Sequence, residues 1–237
     1  MSDDGIGGVP FDDLPPGGHA GAAAEAEKKE RISFVMALRQ RGIQDLAVLR
    51  AMELVPRALF VDPSFRQFAY NDVALPIACG QTMSQPSVVA RMTEALDVLA
   101  QHQVLEIGTG SGYQAAVLSH LASDVVTLDR YRALVNEAQT RFEVLGLRNV
   151  TALVADGRTG FPARAPFDRI LITAATPEVP QALADQLRVA GILVAPIGSA
   201  NEVQMLTRFV KGPAGLVASP LMPVRFVPLV PGAAATL

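Results

Sequence analysis

The 237-residue chain contains a single cysteine, Cys79, and no tryptophan. One cysteine allows no disulfide within the chain and no metal site built from cysteine ligands. Hydrophobic residues make up 50% of the chain, yet no apolar run approaches the roughly 18 residues that span a bilayer. Residues 1–4 are acidic where a secretory signal would be basic. We therefore expect a cytoplasmic protein that does not interact with membranes.

Charge is unevenly distributed along the chain. The formal net charge is −3, and residues 1–24 carry −4 from four aspartates without any lysine or arginine, which leaves +1 for the rest. A nearly neutral body does not attract nucleic acid, so we expect no nucleic-acid partner. Residues 1–24 are also rich in Gly and Pro and bury too little surface to offset the entropy of ordering. We predict a flexible acidic tail, with a partner-binding arm as the alternative.

Residues 25–237 are predicted to form a single domain, and its first part, residues 25–100, is a helical lead-in. Apolar residues fall at helical spacing in residues 25–41, and Gly42 follows where a glycine commonly ends a helix. A second short helix is predicted to end before Pro56, and residues 88–99 return to helical spacing. Residues 70–86 contain prolines and a glycine without clear periodicity, which predicts an ordered loop.

From residue 101 onward, short apolar segments alternate with helical ones. The predicted strands are 104–107, 125–128, 150–154, 169–172 and 192–197, and the predicted helices lie near 115–121, 132–145 and 181–187. Apolar strands separated by helices are typical of a mostly parallel sheet covered on both faces. Extended stretches at 203–210 and 224–230 flank a turn at 211–215, which predicts an antiparallel edge. The predicted fold class is α/β, with a doubly wound sheet within residues 101–237.

A glycine-rich segment follows the first strand of this predicted sheet. It reads Glu106-Ile107-Gly108-Thr109-Gly110-Ser111-Gly112-Tyr113. Glycines let the chain turn tightly off a strand and let a ligand approach the backbone. Asp129 ends the next strand, 21 residues after Gly108, where a carboxylate accepts hydrogen bonds from both hydroxyls of a ribose. Together the two features indicate a cofactor that contains a nucleoside.

Two cofactors are compatible with this segment. Residues 110–115 also fit the G-x-G-x-x-A pattern of dinucleotide-binding proteins, which would make the protein an NAD-dependent oxidoreductase. A carboxylate at Glu106 would repel a pyrophosphate and attract the ammonium and sulfonium groups of S-adenosylmethionine. Unless Glu106 is merely a solvated acid at the end of its strand, S-adenosylmethionine is favoured. The three histidines lack metal-ligand spacing, so no metal site is predicted.

Beyond the glycine segment, the sequence resembles the protein-L-isoaspartate O-methyltransferases from about residue 30 to residue 232. The segment most particular to that family is Gly80-Gln81-Thr82-Met83-Ser84-Gln85-Pro86; the other matching segments are 105–116, 155–157, 167–169, 173–175 and 224–229. Asp129 stands where members often have Glu, and Ala155 replaces a usual glycine. The resemblance implies a Rossmann-like, S-adenosylmethionine-dependent methyltransferase fold.

The resemblance also implies roles for individual residues at matching positions. Ser84 would be the active-site serine, although its place before a predicted helix also suits a helix cap. Asp129 would bind the ribose, and Asp156 with Gly157 would meet the adenine edge. The implied cofactor-binding residues are Gln81, Thr82, Met83, Glu106, Gly108, Gly110, Asp129, Asp156 and Gly157. The residues implied to border the peptide substrate are Thr173, Ala174 and Ala175.

The activity that the resemblance implies is methyl transfer from S-adenosylmethionine to the α-carboxylate of L-isoaspartyl residues in damaged proteins and peptides. In the family the resulting ester collapses to a succinimide, and its hydrolysis returns some normal aspartate. The alternatives are another S-adenosylmethionine-dependent methyltransferase, an NAD-dependent oxidoreductase, or a cofactor-binding protein that has lost catalysis. A monomer is the expected state.

Overall fold

The structure, a computed structural model, describes the backbone of residues 18–234 and the side chains of residues 29–234. Helix α1 spans Gly18–Gln40, so it begins seven residues before residue 25, where the domain is predicted to start; the boundary itself stays a prediction. The rest of the predicted tail, residues 1–17, lies outside the described residues. Gly42, at φ +85°, ends the helix as predicted. Its N–H donates to the carbonyl of Arg39, and the N–H of Ile43 donates to that of Leu38.

Two more helices complete the lead-in, α2 at Leu46–Leu54 and α3 at Pro86–Leu96. The carboxylate of Asp45 caps α2 by accepting from the N–H groups of Ala47 and Val48, at 2.8 and 3.1 Å. The predicted loop at 70–86 instead holds an antiparallel hairpin of strands β1, Leu75–Ile77, and β2, Gln81–Met83. Strands of three residues are too short to show the alternation by which a strand is recognised.

The main sheet has seven strands in the order β5-β4-β3-β6-β7-β8-β9, and the strands from β5 to β7 are parallel. Its parallel strands are β3 (Gln103–Ile107), β4 (Asp124–Asp129), β5 (Val150–Val154), β6 (Phe167–Ile172) and β7 (Leu187–Ile197). The helices between them are α4 (Tyr113–Ser119), α5 (Arg132–Val144) and α6 (Gln181–Gln186). The predicted doubly wound α/β fold is confirmed.

The antiparallel edge is confirmed, but one of its two predicted strands was misplaced. Strand β8 spans Gln204–Gly212 and β9 spans Gly215–Val224, so β9 ends where the predicted strand at 224–230 begins. Pro220 and Pro223 lie within β9, and they obscured its pattern in the sequence. Proline is tolerated there because β9 is an edge strand with one side free of a partner strand. Residues 225–234 instead leave the sheet.

The core lies on both faces of the sheet. Neighbouring residues of β3, such as Val104 and Leu105, are both fully buried, and they belong to separate hydrophobic clusters because successive side chains point to opposite faces. The chain moves outward from β3 through β4 to β5, and then crosses back to place β6 on the other side of β3. The strand order therefore reverses between β3 and β6, where sheets of this kind bind ligands. No helix within residues 18–234 is long and apolar enough to cross a membrane.

Candidate active site

A cavity of about 940 Å³, including its open mouth, lies at this reversal point, beyond the carboxyl ends of β3, β4 and β6. Its lining residues are Gln81, Thr82, Met83, Ser84, Val89, Ile107, Gly108, Thr109, Gly110, Ser111, Tyr113, Gln114, Leu128, Asp129, Arg130, Tyr131, Gly157, Thr173, Ala174, Val227, Pro228, Leu229 and Val230. Ten of the thirteen predicted site residues are among them; Glu106, Asp156 and Ala175 are not.

The glycine segment forms the turn between β3 and α4. Gly108 adopts φ +100°, and a Cβ atom there would lie 2.3 Å from Oγ1 of Thr173, so only glycine fits. That Oγ1 lies 2.8 Å from the carbonyl oxygen of Gly108, to which it donates. On the outer side of the turn, the guanidinium of Arg141 donates to the carbonyl of Ser111 at 3.0 Å. The turn is thus fixed from β6 and from α5, which makes it a rigid wall of the cavity.

Asp129 lies at the end of β4 and is 8% exposed. One oxygen of its carboxylate accepts from the N–H of Gly110 at 2.8 Å, and the other accepts from the N–H of Tyr131 at 3.0 Å. Burial raises the pKa of Asp129, and these backbone hydrogen bonds oppose the shift. Because a carboxylate accepts about four hydrogen bonds, these oxygens keep capacity for ligand hydroxyls.

Glu106 does not line the cavity. It lies on β3, the strand between β4 and β6; its side chain is fully buried, and one oxygen accepts from the hydroxyl of Thr127 at 2.5 Å. The Thr127 hydroxyl is also 2.8 Å from that of Thr109, which lines the cavity. Burial raises the pKa of Glu106 to about 8; the Thr127 hydrogen bond opposes this shift, and the charge of Asp129 adds to it. Burial thus favours the neutral carboxyl in the ligand-free protein, and the role of Glu106 towards a cofactor stays a prediction.

The segment that links β2 to α3 forms the wall opposite the glycine turn. Met83 is buried, while Thr82 and the half-buried Ser84 reach the cavity. The N-cap residue of α3 is Gln85, without a side-chain capping bond, and Asp72 instead accepts from the N–H of Ser87 at 2.8 Å. The capping alternative for Ser84 is thus wrong. The Ser84 hydroxyl makes no hydrogen bond with another described residue, which leaves it free for a ligand.

Residues 225–234, here called the C-terminal strap, cross the mouth of the cavity. Ala175 holds the strap on both sides, since its N–H donates to Val227 at 2.7 Å and its carbonyl accepts from Leu229 at 2.8 Å. Asp156 holds the strap further on, where its carboxylate accepts from the N–H of Gly232 at 2.8 Å. The other Asp156 oxygen accepts from the N–H of Arg158 at 2.9 Å. Ala175 and Asp156 therefore bind the strap and do not line the cavity.

Sequence reasoning missed several residues of the cavity wall. Residues 227–230 of the strap come from the far end of the chain. The family resemblance included residues 224–229, but no local pattern placed them at the cavity. Tyr113 is 1% exposed and belongs to both the hydrophobic core and the cavity wall. Arg130 and Tyr131 also line the cavity. Their position directly after Asp129, at the end of a strand, was the sequence signal that could have identified them.

The cavity fits S-adenosylmethionine on three observations of this chain. Asp129 keeps free acceptor capacity for two ribose hydroxyls, and apolar side chains such as Ile107, Leu128 and Leu229 surround space for a base. Next to the residues of the turn, one oxygen of Glu106 is buried without any hydrogen-bond partner. A cofactor that brings positive charge would favour the ionised form of this carboxyl over the neutral form that burial favours. Among residues 29–234 no cluster of three acidic, His or Cys side chains could hold a metal ion.

The sheet order, the glycine turn and Asp129 define the class of S-adenosylmethionine-dependent methyltransferases. Comparison with known proteins identifies the family within it. The family model described as Protein-L-isoaspartate(D-aspartate) O-methyltransferase (PCMT) matches residues 28–234. The chain therefore belongs to the protein-L-isoaspartate(D-aspartate) O-methyltransferase family. This confirms the resemblance found in the sequence, and it contradicts the oxidoreductase alternative.

Bacterial relatives with this family name cover nearly the same length. The protein-L-isoaspartate O-methyltransferase of Azorhizobium caulinodans is 71% identical over 214 residues, which are 90% of this chain and 99% of the relative. That of Xanthobacter autotrophicus is 68% identical over 214 residues, 90% of this chain and 98% of the relative. The chain thus aligns with almost the whole of each relative.

Solved structures of the same name share the fold. One protein-L-isoaspartate O-methyltransferase is 30% identical with a TM-score of 0.77, over 84% of this chain and 65% of its own. A second, a putative family member from Plasmodium falciparum in complex with S-adenosyl-L-homocysteine, is 25% identical with a TM-score of 0.71, over 84% of this chain and 97% of its own. The ligand in the second structure is the demethylated form of S-adenosylmethionine.

Proposed function

We propose that the protein transfers a methyl group from S-adenosylmethionine to the α-carboxylate of L-isoaspartyl residues in damaged proteins and peptides. One observation carries the proposal: the family-specific segment with Ser84, the glycine turn and Asp129 come from three separate stretches of the chain and line one cavity. The segment with Ser84 distinguishes this family from other S-adenosylmethionine-dependent methyltransferases, because the glycine turn and Asp129 are features of that whole class.

The cofactor side of the cavity is formed by residues from three parts of the chain. Asp129 accepts from the ribose hydroxyls in this proposal, and the turn at Gly108 and Gly110 offers backbone to the methionine part. Gln81, Thr82 and Met83 form the facing wall, and Gly157 leaves room because it has no side chain. Glu106 contacts the turn through Thr127 and Thr109, and in this proposal it ionises when the cofactor binds and balances its positive charge. When bound, S-adenosylmethionine supplies an electrophilic methyl group on its sulfonium.

The acceptor needs no general base. A peptide α-carboxyl has a pKa of about 3.3–3.7 and is ionised at neutral pH. The task of the protein is to orient that carboxylate and to remove the water that solvates it. The unpaired hydroxyl of Ser84 can donate one hydrogen bond to a carboxylate oxygen and leave the other oxygen free to react. In this proposal Thr173, Ala174 and residues 227–230 border the peptide and exclude water.

Cellular location and assembly are part of the proposal. A cytoplasmic protein that acts without nucleic acid is supported by the single cysteine and the nearly neutral charge of the chain beyond residue 24, and the proposed assembly is a monomer. Cell fractionation and light scattering at working concentrations test these points separately from activity.

A paired-peptide assay tests the activity. The full chain is incubated with S-adenosylmethionine and either an isoaspartyl peptide or the peptide of the same sequence with a normal aspartyl bond, and formation of S-adenosyl-L-homocysteine is followed. We expect turnover with the isoaspartyl peptide alone. Equal turnover with both peptides, or none with either, would contradict the proposal. Calorimetry with S-adenosylmethionine and with NAD separates cofactor binding from turnover.

A further inference from the structure

Arg57 is the largest fully buried side chain among the described residues, with 0% exposure. It begins the short turn Arg57–Phe60 that follows α2. Its Nε donates to the carbonyl of Ala69 at 2.8 Å, and its Nη2 donates to the carbonyl of Ser84 at 2.7 Å. The guanidinium therefore holds the peptide group of the residue proposed to orient the methyl acceptor.

The same guanidinium contacts a second residue of the cavity wall. Its carbon lies 4.7 Å from the centre of the Tyr113 ring, within the range of a cation–π interaction. The ring of Phe60 packs edge-on against Tyr113, with the ring centres 5.5 Å apart. Nη1 of Arg57 and the hydroxyl of Tyr113 are both buried, and neither makes a hydrogen bond of ordinary geometry, although the two side chains interact electrostatically. Arg57 thus stands directly behind two residues that line the cavity, with donor capacity left over.

No described carboxylate forms an ion pair with Arg57. The nearest acidic influence is Asp72, whose oxygens are engaged by Arg41 at 2.8 Å and by the N–H of Ser87 at 2.8 Å. A buried guanidinium without an anionic partner is costly to maintain, and burial lowers the pKa of Arg57, although arginine keeps its proton in proteins. A buried cation that is costly to maintain, next to the proposed site of an anionic substrate, calls for a functional explanation.

We propose that Arg57 is a positioning residue for the carboxylate of the methyl acceptor, which it serves by fixing the Ser84 peptide and by placing an unpaired positive charge behind Ser84 and Tyr113. This inference rests on the proposed function, and it identifies a residue on which discrimination between an acidic and a neutral acceptor depends. Arg57 does not line the cavity, so it acts through Ser84 and Tyr113 and through its electric field.

The charge of Arg57 has opposite consequences for the two ligands of the site. It attracts the anionic acceptor and repels the sulfonium of the cofactor. A purely structural role of Arg57 predicts no such opposite effects, because a loosened cavity wall would weaken the binding of both ligands. The decisive quantity is therefore the carboxylate preference, defined as the dissociation constant of an α-carboxamide peptide divided by that of the isoaspartyl peptide. It is measured by calorimetry with S-adenosyl-L-homocysteine present, so that no turnover occurs.

Substitution of Arg57→Met, which keeps much of the length and loses the charge, is expected to lower the carboxylate preference at least tenfold. The dissociation constant for S-adenosylmethionine should stay the same or fall. Arg169→Met is the matched control, because Arg169 is also buried and donates through Nε to a backbone carbonyl, that of Asp97 at 2.9 Å, but lies away from the cavity. It should leave the preference within twofold of the unaltered protein.

Arg57→Lys provides a second test of the inference, which does not depend on whether Arg57→Met folds. Lysine retains the charge but cannot reproduce the fork that spans Ala69 and Ser84. We expect its carboxylate preference within threefold of the unaltered protein, with a lower kcat. A tenfold loss of preference in Arg57→Lys, or an equal weakening of both peptides in Arg57→Met, would overturn the inference. Lack of isoaspartyl turnover by the unaltered protein would instead refute the proposed function.

Discussion

The carboxylate of Asp129 accepts a hydrogen bond from the backbone N–H of Gly110 across 2.8 Å, so the end of β4 holds the turn that follows β3. The carboxylate also accepts from the N–H of Tyr131. One side chain thus fixes two backbone segments of the cavity wall, at Gly110 and at Tyr131. Because a carboxylate has capacity for about four hydrogen bonds, this support is compatible with binding two ligand hydroxyls.

Asp129→Asn should weaken S-adenosylmethionine binding. An amide has one acceptor oxygen in place of two, so one of the backbone N–H groups or a ribose hydroxyl loses its partner, and the bonds that remain lose their charge. We expect a loss of about 1.5–3 kcal/mol in calorimetry, the usual range for hydrogen bonds to charged groups.

Asp168→Asn is the control for Asp129→Asn. The carboxylate of Asp168 also accepts a backbone N–H, that of Gln103 at 2.8 Å, but it does not line the cavity. The Asp168→Asn variant should lower the free energy of unfolding without changing the affinity for S-adenosylmethionine. If both variants bind S-adenosylmethionine as the unaltered protein does, Asp129 does not bind the ribose.

Ser84→Ala should separate catalysis from folding. The serine hydroxyl makes no hydrogen bond with another described residue, so its removal should change the free energy of unfolding by no more than about 0.5 kcal/mol. Peptide methylation at saturating cofactor should fall by one to several orders of magnitude, where each order corresponds to roughly 1.4 kcal/mol.

Ser87→Ala provides the comparison for Ser84→Ala. Ser87 lies in the first turn of α3, where its hydroxyl accepts from Gln85 at 3.1 Å, and it does not line the cavity. We expect near-normal turnover from this variant. Equal turnover in the two alanine variants would remove Ser84 from the reaction.

The predictable part of the fold is the part with strong periodicity. Strands such as β3 and β4 are buried on both faces and consist mostly of apolar residues, interrupted by Glu106 and Thr127, and the helices of the sheet repeat at helical spacing. By contrast, β1 and β2 have only three residues each, and β9 carries two prolines in its sequence. These elements are stabilised by pairing with a neighbour, which no local pattern records.

The predictable part of the site is the part that lies close together in sequence. The glycine turn and Asp129 follow neighbouring strands, so topology brings them together. The burial of Glu106 was not predictable, because it depends on β4 and β6 lying on either side of β3. The contact between Asp156 and Gly232 joins residues 76 positions apart. Such a contact has no signal in a single sequence.

Glu106→Gln should change how stability depends on pH. The carboxyl has a pKa of about 8 in the folded protein and about 4.5 as its ordinary value, so the folded state binds more protons than the unfolded state between these values. Its contribution to stability is complete below pH 4.5 and is lost as the pH rises towards 8. Glutamine does not titrate and removes this loss.

Chemical denaturation at several pH values checks the Glu106 prediction. The free energy of unfolding of Glu106→Gln minus that of the unaltered protein should rise between about pH 5 and pH 8, and should level off above that range. Groups that titrate in both proteins cancel in this difference. A difference that does not vary with pH would show that Glu106 is already ionised in the folded protein at neutral pH.

Asp156→Ala distinguishes two roles for one carboxylate. The family resemblance places Asp156 at the adenine edge, whereas the structure has both of its oxygens accepting backbone N–H groups, from Gly232 at 2.8 Å and from Arg158 at 2.9 Å. If the carboxylate mainly holds the C-terminal strap, its loss frees residues 227–230 over the peptide side of the cavity. The KM for the isoaspartyl peptide should then rise about 3- to 10-fold, the equivalent of one hydrogen bond.

The dissociation constant for S-adenosylmethionine is the decisive second measurement on Asp156→Ala. It should change less than the peptide KM if the strap is what the carboxylate holds, and more if the carboxylate binds adenine. Asp62→Ala is a suitable control, because Asp62 makes a similar turn by accepting from the N–H of Ser64 at 2.8 Å, away from the cavity. That variant should leave both constants unchanged. A larger effect of Asp156→Ala on cofactor binding than on the peptide KM would assign Asp156 to adenine. The remaining hydrogen bonds of the strap, to Ala175 and to the carbonyl of Arg130, would then be sufficient to hold the strap in place.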